Sequence, residues 1–481
     1  MQFASARPTL SLRTLALLAS VTSTLLFDST FFRALAAGRD PHALSTWWFV
    51  AAVAIALTAI LTAILLIALQ RPIAKALLAL LFLGSAVTGY YVGAYGIYLD
   101  PGMMRNVLHT DVREAFELVS LSMLASVALL AGVPIALLAW IRIAPSSRRD
   151  ALVVRPLLAL LSLAIAVAAL LTVGRSFASL MRNSPDVRYL ATPLNYLWSL
   201  PVAAFADEKT VIKPRAPVGL DAHRASRANA RPAFVVLVIG EAARAANWQL
   251  DGYARETTPE LAARNDVINF PNATSCGTST EASLPCLFAP FGRAHAERAR
   301  ASESLLDVAQ RAGIDVLWRD NQSGCKSVCA GVRSELIDAK SAPQACRDGQ
   351  CYDEGLLEGF DAVVAHAAQR DALLVLHQKG SHGPGYFRRY PPAFRRFAPA
   401  CEARDLTDCT PGSIVNAYDN TIAYTDHVLA QTIALLARED ATRDAALLYV
   451  SDHGESLGED GLYLHGLPWA IARLASAPHL A

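Results

Sequence analysis

The chain has 481 residues, a length that allows about two to four domains. Hydrophobic residues make up 53% and charged residues 18%, and the apolar residues concentrate before about residue 200, which is typical of a membrane half followed by a polar half. The net charge of +1 excludes the strongly basic surface expected of a nucleic-acid-binding protein.

Five apolar segments in the first half are long enough to cross a membrane, since a spanning helix needs about 20 mostly apolar residues. They cover residues 13–35, 47–69, 76–98, 116–140 and 153–174. The first segment is too long for the apolar core of a signal peptide, and the other spans follow it. The sequence therefore predicts a membrane domain of five helices.

Positive charges predict how these helices cross the membrane. The segments before the first span, between the second and third, and between the fourth and fifth carry Arg7, Arg13, Arg71, Lys75, Arg142, Arg148, Arg149 and Arg155. Lysine and arginine are enriched on the cytoplasmic side. The bias is incomplete, because the opposite loops carry Arg33, Arg39, Arg105 and Arg113. We expect the chain after about residue 175 to lie outside the cytoplasm.

The segment between the third and fourth spans carries polar residues at a helical spacing. Asn106, Thr110 and Glu114 are four residues apart, so on one helix they would share a face. That face would lie at the bilayer surface, at the depth of lipid headgroups. Two interpretations stay open: a lipid-headgroup site, and a solvated loop helix.

Residues 176–230 form a connector. Its first part suits an interfacial helix, with the aromatic, polar and cationic residues Arg182, Arg188, Tyr189, Asn195 and Trp198. Its second part, from Lys209 to Arg231, predicts a linker rich in proline, alanine and charge. We divide the chain into a membrane domain (1–175), this connector (176–230) and a soluble domain (231–481).

The cysteines all lie in the polar half. The eight are Cys276, Cys286, Cys325, Cys329, Cys346, Cys351, Cys401 and Cys409. An even number in adjacent pairs predicts disulfides in an oxidising compartment, which agrees with the topology, although sequence alone leaves the connectivity open. The alternative is a zinc-binding cysteine cluster, for which only Cys325 and Cys329 have a near-suitable spacing.

Three strand-like apolar runs, at 234–240, 371–376 and 445–451, alternate with helix-like segments in the soluble domain. This alternation predicts an α/β sheet. In open α/β sheets, ligands bind beyond the carboxyl ends of the strands.

Each run is followed by residues able to bind a metal. Glu241 follows the first run. His377 follows the second run, and His382 lies five residues further on. Asp452 and His453 follow the third run. Oxygen and imidazole ligands suit zinc, and manganese less well. A histidine after a strand is usually structural, so the adjacent Asp452 and His453, followed by Gly454, are the more specific signal.

A candidate nucleophile lies in Thr274-Ser-Cys-Gly-Thr-Ser-Thr280. Hydroxyls at a helix start are usually N-caps, but the same geometry makes an anion site. A threonine is a poor nucleophile unless its hydroxyl loses its proton, which a bound zinc ion would promote.

Five motifs together resemble the lipid A phosphoethanolamine transferases, a family that includes the mobile colistin-resistance enzymes. They are Glu241, Ser275-Cys-Gly-Thr-Ser-Thr280, Trp318-Arg-Asp-Asn-Gln-Ser-Gly-Cys325-Lys326, Gly380-Ser-His382-Gly-Pro, and Ser451-Asp-His-Gly-Glu-Ser-Leu-Gly-Glu459 with Gly461-Leu-Tyr-Leu-His465-Gly. The resemblance implies an α/β/α periplasmic domain like that of alkaline phosphatase, on a five-helix domain in the bacterial inner membrane.

The resemblance also implies roles for individual residues. The zinc ligands are Glu241, Thr280, Asp452 and His453, with Thr280 also the catalytic nucleophile. His382 and His465 contact phosphoethanolamine and can bind a second zinc ion, and His377 and Lys326 lie on the substrate side. Asn106, Thr110 and Glu114 match lipid-substrate positions. The implied disulfides are 276–286, 325–329, 346–351 and 401–409.

The implied reaction has two steps. Thr280 takes phosphoethanolamine from phosphatidylethanolamine, and the group then passes to lipid A, which gives resistance to cationic peptides such as polymyxin. The expected cofactor is one tightly bound zinc ion, with a second optional, and the expected state is a monomer with no nucleic-acid partner.

The chain departs from the family after Trp469-Ala-Ile, since the family continues there with further strand and helix segments and this chain runs from Ala472 to Ala481. We expect a catalytic domain truncated at its C-terminus. The alternatives are a related phosphoglycerol or phosphoethanolamine transferase or a phosphodiesterase with another acceptor, and an inactive truncated membrane protein. A sulfatase is disfavoured, because the Cys/Ser-x-Pro-x-Arg pattern is absent at Thr280.

Overall fold

The computed structural model describes residues 7–110, 112–211, 215–224, 231–347, 350–367, 369–439, 442–468 and 479–480. The chain forms two compact units. Unit 1 comprises Met1–Met104 and Val119–Ala203, and unit 2 comprises Arg105–Leu118 and Ala204–Ala481.

Helices dominate the chain before residue 212. They are α1 (Leu12–Phe27), α2 (Ser29–Ala36), α3 (Leu44–Ala68), α4 (Ala74–Tyr95), α5 (Pro101–His109), α6 (Val112–Glu117), α7 (Leu121–Leu130), α8 (Gly132–Trp140), α9 (Arg155–Thr172), α10 (Gly174–Asn183) and α11 (Leu194–Val211). Two short strands, β1 (Thr9–Leu10) and β2 (Arg142–Ile143), pair in parallel.

Four helices in the described part of unit 1 are long and apolar enough to cross a membrane. They are α3, α4, the continuous stretch Leu121–Trp140 that contains α7 and α8, and Asp150–Thr172, which contains α9. Many of their leucines are exposed, as expected of side chains that face lipid; Leu171, for example, is 74% exposed.

Two of the five predicted spans differ from the structure. The first is a bent pair, since α1 and α2 meet at 64° and pass the length test only together. Asp28 lies at this bend, and its carboxylate accepts the backbone N–H of Thr192 at 2.7 Å. The fourth begins at Leu121 rather than 116, because the Ser120 hydroxyl caps the helix by accepting the backbone N–H of Met123 at 3.0 Å.

Unit 2 contains a six-stranded sheet. Its strands, with two small hairpins, are β3 (Ala233–Gly240), β4 (Asp315–Asp320), β5 (Arg333–Leu336), β6 (Cys346–Arg347), β7 (Gln350–Cys351), β8 (Ala372–His377), β9 (Asp444–Ser451), β10 (Ser456–Leu457), β11 (Tyr463–Leu464) and β12 (His479–Leu480). The α-helices after residue 212 are α12 (Pro259–Ala262), α13 (Thr280–Leu287), α14 (Ala296–Arg300), α15 (Leu305–Arg311), α16 (Phe360–Ala367) and α17 (Pro411–Ala437).

The order in the sheet is β12-β9-β3-β8-β4-β5, and all neighbours except β12 and β9 are parallel. The three predicted strands are β3, β8 and β9, which confirms the α/β sheet. Their ends are in register, because Gly240 pairs with Ser451 and Ile239 pairs with His377. The sheet therefore brings the residues that follow these strands to one edge.

Four disulfides join the cysteines in sequential pairs, 276–286, 325–329, 346–351 and 401–409. This is the pairing that the family resemblance implied. It excludes the alternative of a zinc-binding cysteine cluster, since all eight cysteines are bonded to one another.

Gly240, at the end of β3, fits against a fully buried tyrosine. A Cβ at this position would lie 2.2 Å from the Tyr449 hydroxyl oxygen. Tyr449 cannot easily move aside, because its ring stacks on Trp248 with centroids 5.5 Å apart and both side chains are fully buried.

We expect Gly240→Ala to lower the free energy of unfolding of the full chain in detergent by about 1–3 kcal/mol, the usual cost of overpacking. Thermal or urea unfolding measures this change in the free energy of unfolding. The matched control is Gly412→Ala in α17, where a Cβ meets no atom within 4 Å and the free energy should stay unchanged or rise slightly. Equal stability of the two variants would contradict this account.

Candidate active site

Three side chains meet at the carboxyl edge of the sheet. Glu241 follows β3, and Asp452 and His453 follow β9 directly. All three are buried, and each offers a ligand atom within 4.8 Å of the others. The register of β3 and β9 places these side chains close together. Gly240 pairs with Ser451, and Glu241 and Asp452 are the residues that follow them.

Thr280 is the first residue of α13, and its hydroxyl points into this group. It donates a hydrogen bond to Glu241 Oε2 at 2.8 Å and lies 3.3 Å from His453 Nε2. The disulfide between Cys276 and Cys286 closes the loop and helix that carry Thr280.

Two carboxylate oxygens in the group have no hydrogen-bond donor, Glu241 Oε1 and Asp452 Oδ2. His453 Nε2 lies 3.2 Å from Glu241 Oε1, but it is not aligned to donate to it. A buried ionised oxygen without a partner is costly, so the donor set fits a bound cation. Two carboxylates, an imidazole and a hydroxyl suit a divalent metal ion with oxygen and nitrogen ligands.

The electrostatics of the group also favour a cation. Burial raises the pKa of Asp452, and the neighbouring Glu241 carboxylate raises it further. Burial alone would lower the pKa of His453, but the two carboxylates raise it well above its usual value. Two negative charges therefore share one imidazole in a site closed to water.

A second group of imidazoles lies beside the first. The rings of His382 and His465 have centroids 5.3 Å apart, and those of His453 and His465 are 4.7 Å apart. Glu241, His382 and His465 could together hold another ion. His382 lies here because Gly380, at φ +49°, lets the loop after β8 pack on the backbone of Glu241, where a Cβ would be 2.7 Å from the carbonyl oxygen.

Sequence reasoning missed the partners that orient His465. Its Nδ1 lies 3.0 Å from Glu455 Oε2, and the buried Glu455 also accepts a hydrogen bond from the Tyr386 hydroxyl at 2.7 Å. Burial would lower the pKa of His465, but the Glu455 carboxylate raises it. Glu455 lies three residues after Asp452 in the metal motif, which was the available signal; no signal marked Tyr386.

The two residues predicted on the substrate side, Lys326 and His377, lie outside the group of possible metal ligands. Lys326 lines the cavity at Thr280, and its Nζ donates to Ser323 Oγ at 3.3 Å. His377 is fully buried at the end of β8, where its Nδ1 lies 3.2 Å from Asp320 Oδ1, and it is absent from the cavity lining.

Residues of the segment 105–118 line the cavity at Thr280 within unit 2. Asn106, Thr110 and Glu114 line a cavity of about 60 Å³ together with Thr280. The Ser279 hydroxyl donates to Asn106 Oδ1 at 3.2 Å. The three residues do not lie on one helix, because α5 ends at His109 and α6 begins at Val112.

Two buried glutamates of α6 hold this segment in place. Lys379 Nζ donates to Glu114 Oε1 at 2.6 Å. Burial would raise the pKa of Glu114, but His382 and Lys379 lower it to about 2. Glu117 accepts hydrogen bonds from both terminal nitrogens of Arg389, whose Nε donates to the backbone oxygen of His382 at 2.8 Å.

Comparison with known proteins agrees with this site. Residues 233–476 match the sulfatase family model, and residues 57–206 match the model of phosphoethanolamine transferase EptA/EptB. Phosphoethanolamine transferase EptA of Escherichia coli strain K12 is 40% identical over 413 residues, which are 84% of this chain and 74% of that protein. The chain belongs to the phosphoethanolamine transferase family.

Two further relatives support the assignment. Phosphatidylethanolamine transferase Mcr-1 of Escherichia coli is 37% identical over 85% of this chain and 77% of its own length. The solved structure of the integral membrane lipooligosaccharide phosphoethanolamine transferase A (EptA) of Neisseria meningitidis matches with a TM-score of 0.93 and 34% identity, over 98% of this chain and 88% of that one. The chain is thus a membrane-embedded phosphoethanolamine transferase.

We expect Glu117→Gln to release α6, because it leaves the Arg389 guanidinium buried without its counterion, a loss of about 3 kcal/mol. Hydrogen exchange of the α6 amides should accelerate about 100-fold at neutral pH. Burial would raise the pKa of Glu117, but Arg389 lowers it, so the pair stabilises the fold above the ordinary glutamate value of 4.5 and loses this effect as pH falls further.

The difference between wild type and variant should therefore shrink below about pH 4.5. The matched control is Glu256→Gln, at an exposed position without a hydrogen bond or ion pair among the described residues, which should leave the exchange of α6 unchanged. A difference that stays constant with pH would contradict the role of the ion pair.

Proposed function

We propose that this protein transfers phosphoethanolamine from phosphatidylethanolamine to lipid A through a covalent intermediate on Thr280. The observation that carries the proposal is the Thr280 hydroxyl, 2.8 Å from Glu241 and next to two carboxylate oxygens without a donor. The names of two relatives support the substrates: Mcr-1 is a phosphatidylethanolamine transferase and the Neisseria meningitidis enzyme a lipooligosaccharide phosphoethanolamine transferase.

The reaction has two displacements at one phosphorus atom. In the first, the Thr280 oxygen bonds to the phosphorus of phosphatidylethanolamine, the bond to the glycerol oxygen breaks, and diacylglycerol leaves with the proton that Thr280 loses. In the second, an oxygen of lipid A bonds to the same phosphorus and the bond to Thr280 breaks. The proton from the acceptor then restores the Thr280 hydroxyl.

Glu241, Asp452, His453 and Thr280 would hold one zinc ion, and His382 and His465 a second. Zinc supplies Lewis acidity here, which lowers the pKa of a coordinated hydroxyl and offsets the charge of the phosphoryl group. The residues of the chain prepare this chemistry, since Glu241 fixes the direction of the Thr280 hydroxyl before the substrate arrives.

Three cationic or hydrogen-bonding side chains face the phosphoryl position. Lys326, His382 and His465 line the cavity at Thr280. Glu455 orients His465, because its Oε2 lies 3.0 Å from His465 Nδ1. Donors placed before the reaction stabilise the charge of the transition state.

We place the enzyme in the bacterial inner membrane, with five crossings and the catalytic unit in the periplasm. The bent pair α1 and α2 would supply the fifth crossing. A related domain from the phosphoethanolamine transferase EptC of Campylobacter jejuni is described as periplasmic.

All the residues that we invoke come from one chain, so the enzyme would work as a monomer. Addition of phosphoethanolamine, which carries an ammonium group, to a phosphate of lipid A would reduce its negative charge and weaken the binding of cationic peptides such as polymyxin.

Thr280→Ala should abolish the phosphoethanolamine mass gain of lipid A in cells that express the full chain, because no other hydroxyl occupies the position of Thr280. Mass spectrometry of extracted lipid A measures this mass gain. Thr274→Ala is the matched control, since Thr274 lies on the same loop but is exposed, and it should behave as wild type. Normal modification by Thr280→Ala would exclude the covalent intermediate.

Purified full chain should contain at least one zinc ion per molecule by elemental analysis. Asp452→Asn should lower the zinc content several-fold, because it removes a ligand charge from the buried group. Asp408→Asn changes an exposed carboxylate and should retain the metal. Equal zinc in all three proteins would place the metal elsewhere.

A further inference from the structure

A second, larger cavity lies next to the cavity at Thr280 in unit 2. The cavity at Thr280 has a volume of about 60 Å³, and the larger one about 570 Å³. The larger cavity lies within the range of roughly 300–1,000 Å³ that is usual for small-molecule sites.

Two side chains line both cavities, Glu114 and Gln322. Lys379, which lines the larger one, joins them, because its Nζ donates to Glu114 Oε1 at 2.6 Å and to Gln322 Oε1 at 2.8 Å. The two cavities therefore meet at Glu114 and Gln322.

The acidic residues of the larger cavity are already paired. Glu114 bonds to Lys379, and Glu117 to Arg389. The carboxylate of Asp338 accepts the backbone N–H groups of Lys340 and Ser341 at 2.8 and 2.9 Å, which fixes the loop after β5.

Lys340 is the exception among these charged groups. Its ammonium makes no hydrogen bond or ion pair with any residue that the structure describes, and it is exposed at the cavity. The Lys340 ammonium is therefore available to an anion such as a phosphate.

The uncharged lining suits a sugar. Asn321 and Gln322 supply amide groups, and sugar hydroxyls can both donate to amides and accept from them. The amide of Gln350 is already bonded to Glu117 and Arg389. The Asn321 amide nitrogen is committed to Cys351 O and Asp353 Oδ1, so its side-chain oxygen is the group that can accept from a ligand.

We propose that the larger cavity binds the phosphorylated sugar of the acceptor. The inference rests on the proposed function, in which the acceptor must reach the phosphorus atom that the donor has left on Thr280. A cavity with an exposed ammonium and amide groups fits a sugar phosphate.

The first test measures binding of glucosamine 1-phosphate to the full chain in detergent, by saturation-transfer NMR. Wild type should bind it. Lys340→Glu reverses the free charge and Ala339→Trp fills the cavity, and each should weaken binding at least about tenfold. The matched control is Arg333→Glu, which reverses an exposed charge on β5 outside the cavity and should bind as wild type does.

The second test separates the two half-reactions. The burst of diacylglycerol from phosphatidylethanolamine without acceptor reports the first, and the mass gain of added lipid A reports the second. Lys340→Glu should keep the burst within about twofold of wild type, which also shows that the variant is folded, and should lower transfer at subsaturating lipid A at least about tenfold.

Unchanged sugar-phosphate binding in both cavity variants would overturn the inference. So would an equal loss of both half-reactions in Lys340→Glu, because the cavity would then serve the donor. If wild type binds the sugar phosphate through Lys340 but does not modify lipid A, the proposed function fails while the assignment of the cavity stands.

Discussion

Two carboxylates, Glu241 and Asp452, are buried side by side, and their need for a positive charge organises the catalytic unit. The pairing of Gly240 with Ser451 fixes their proximity, since each carboxylate lies one residue beyond a paired strand end. Repulsion and loss of water would expel one charge unless a cation balanced the pair. His453 supplies part of that balance, and the oxygens without donors define where a metal ion fits. The Thr280 hydroxyl points into the same group.

The segment 105–118 completes the site by a different kind of interaction. Its glutamates are neutralised by Lys379 and Arg389, which come from the loops after β8. Arg389 also bonds to the backbone of His382, so one side chain links the position of the segment to that of an imidazole beside the nucleophile. Glu114 and Gln322 line both the small cavity at Thr280 and the larger cavity beside it.

The sequence predicted those parts of the structure that depend on local pattern. The three strands lie within one residue of the predicted runs, because continuous apolar segments with metal ligands at their ends allow few other interpretations. Features that depend on distant contacts were not predictable. The bend at Asp28 involves Thr192, which is 164 residues away, and the pair of Glu117 and Arg389 spans 272 residues. Asn106 and Glu114 line one cavity, although they lie on two different helices. No residue pattern marked the break between α5 and α6.

The disulfide between Cys276 and Cys286 has a consequence for when the enzyme becomes active. It closes the loop that presents Thr280, and such bonds form and persist in oxidising compartments. A newly made chain in the reducing cytoplasm would hold its nucleophile on an open loop. The fixed position of Thr280 therefore depends on oxidising conditions.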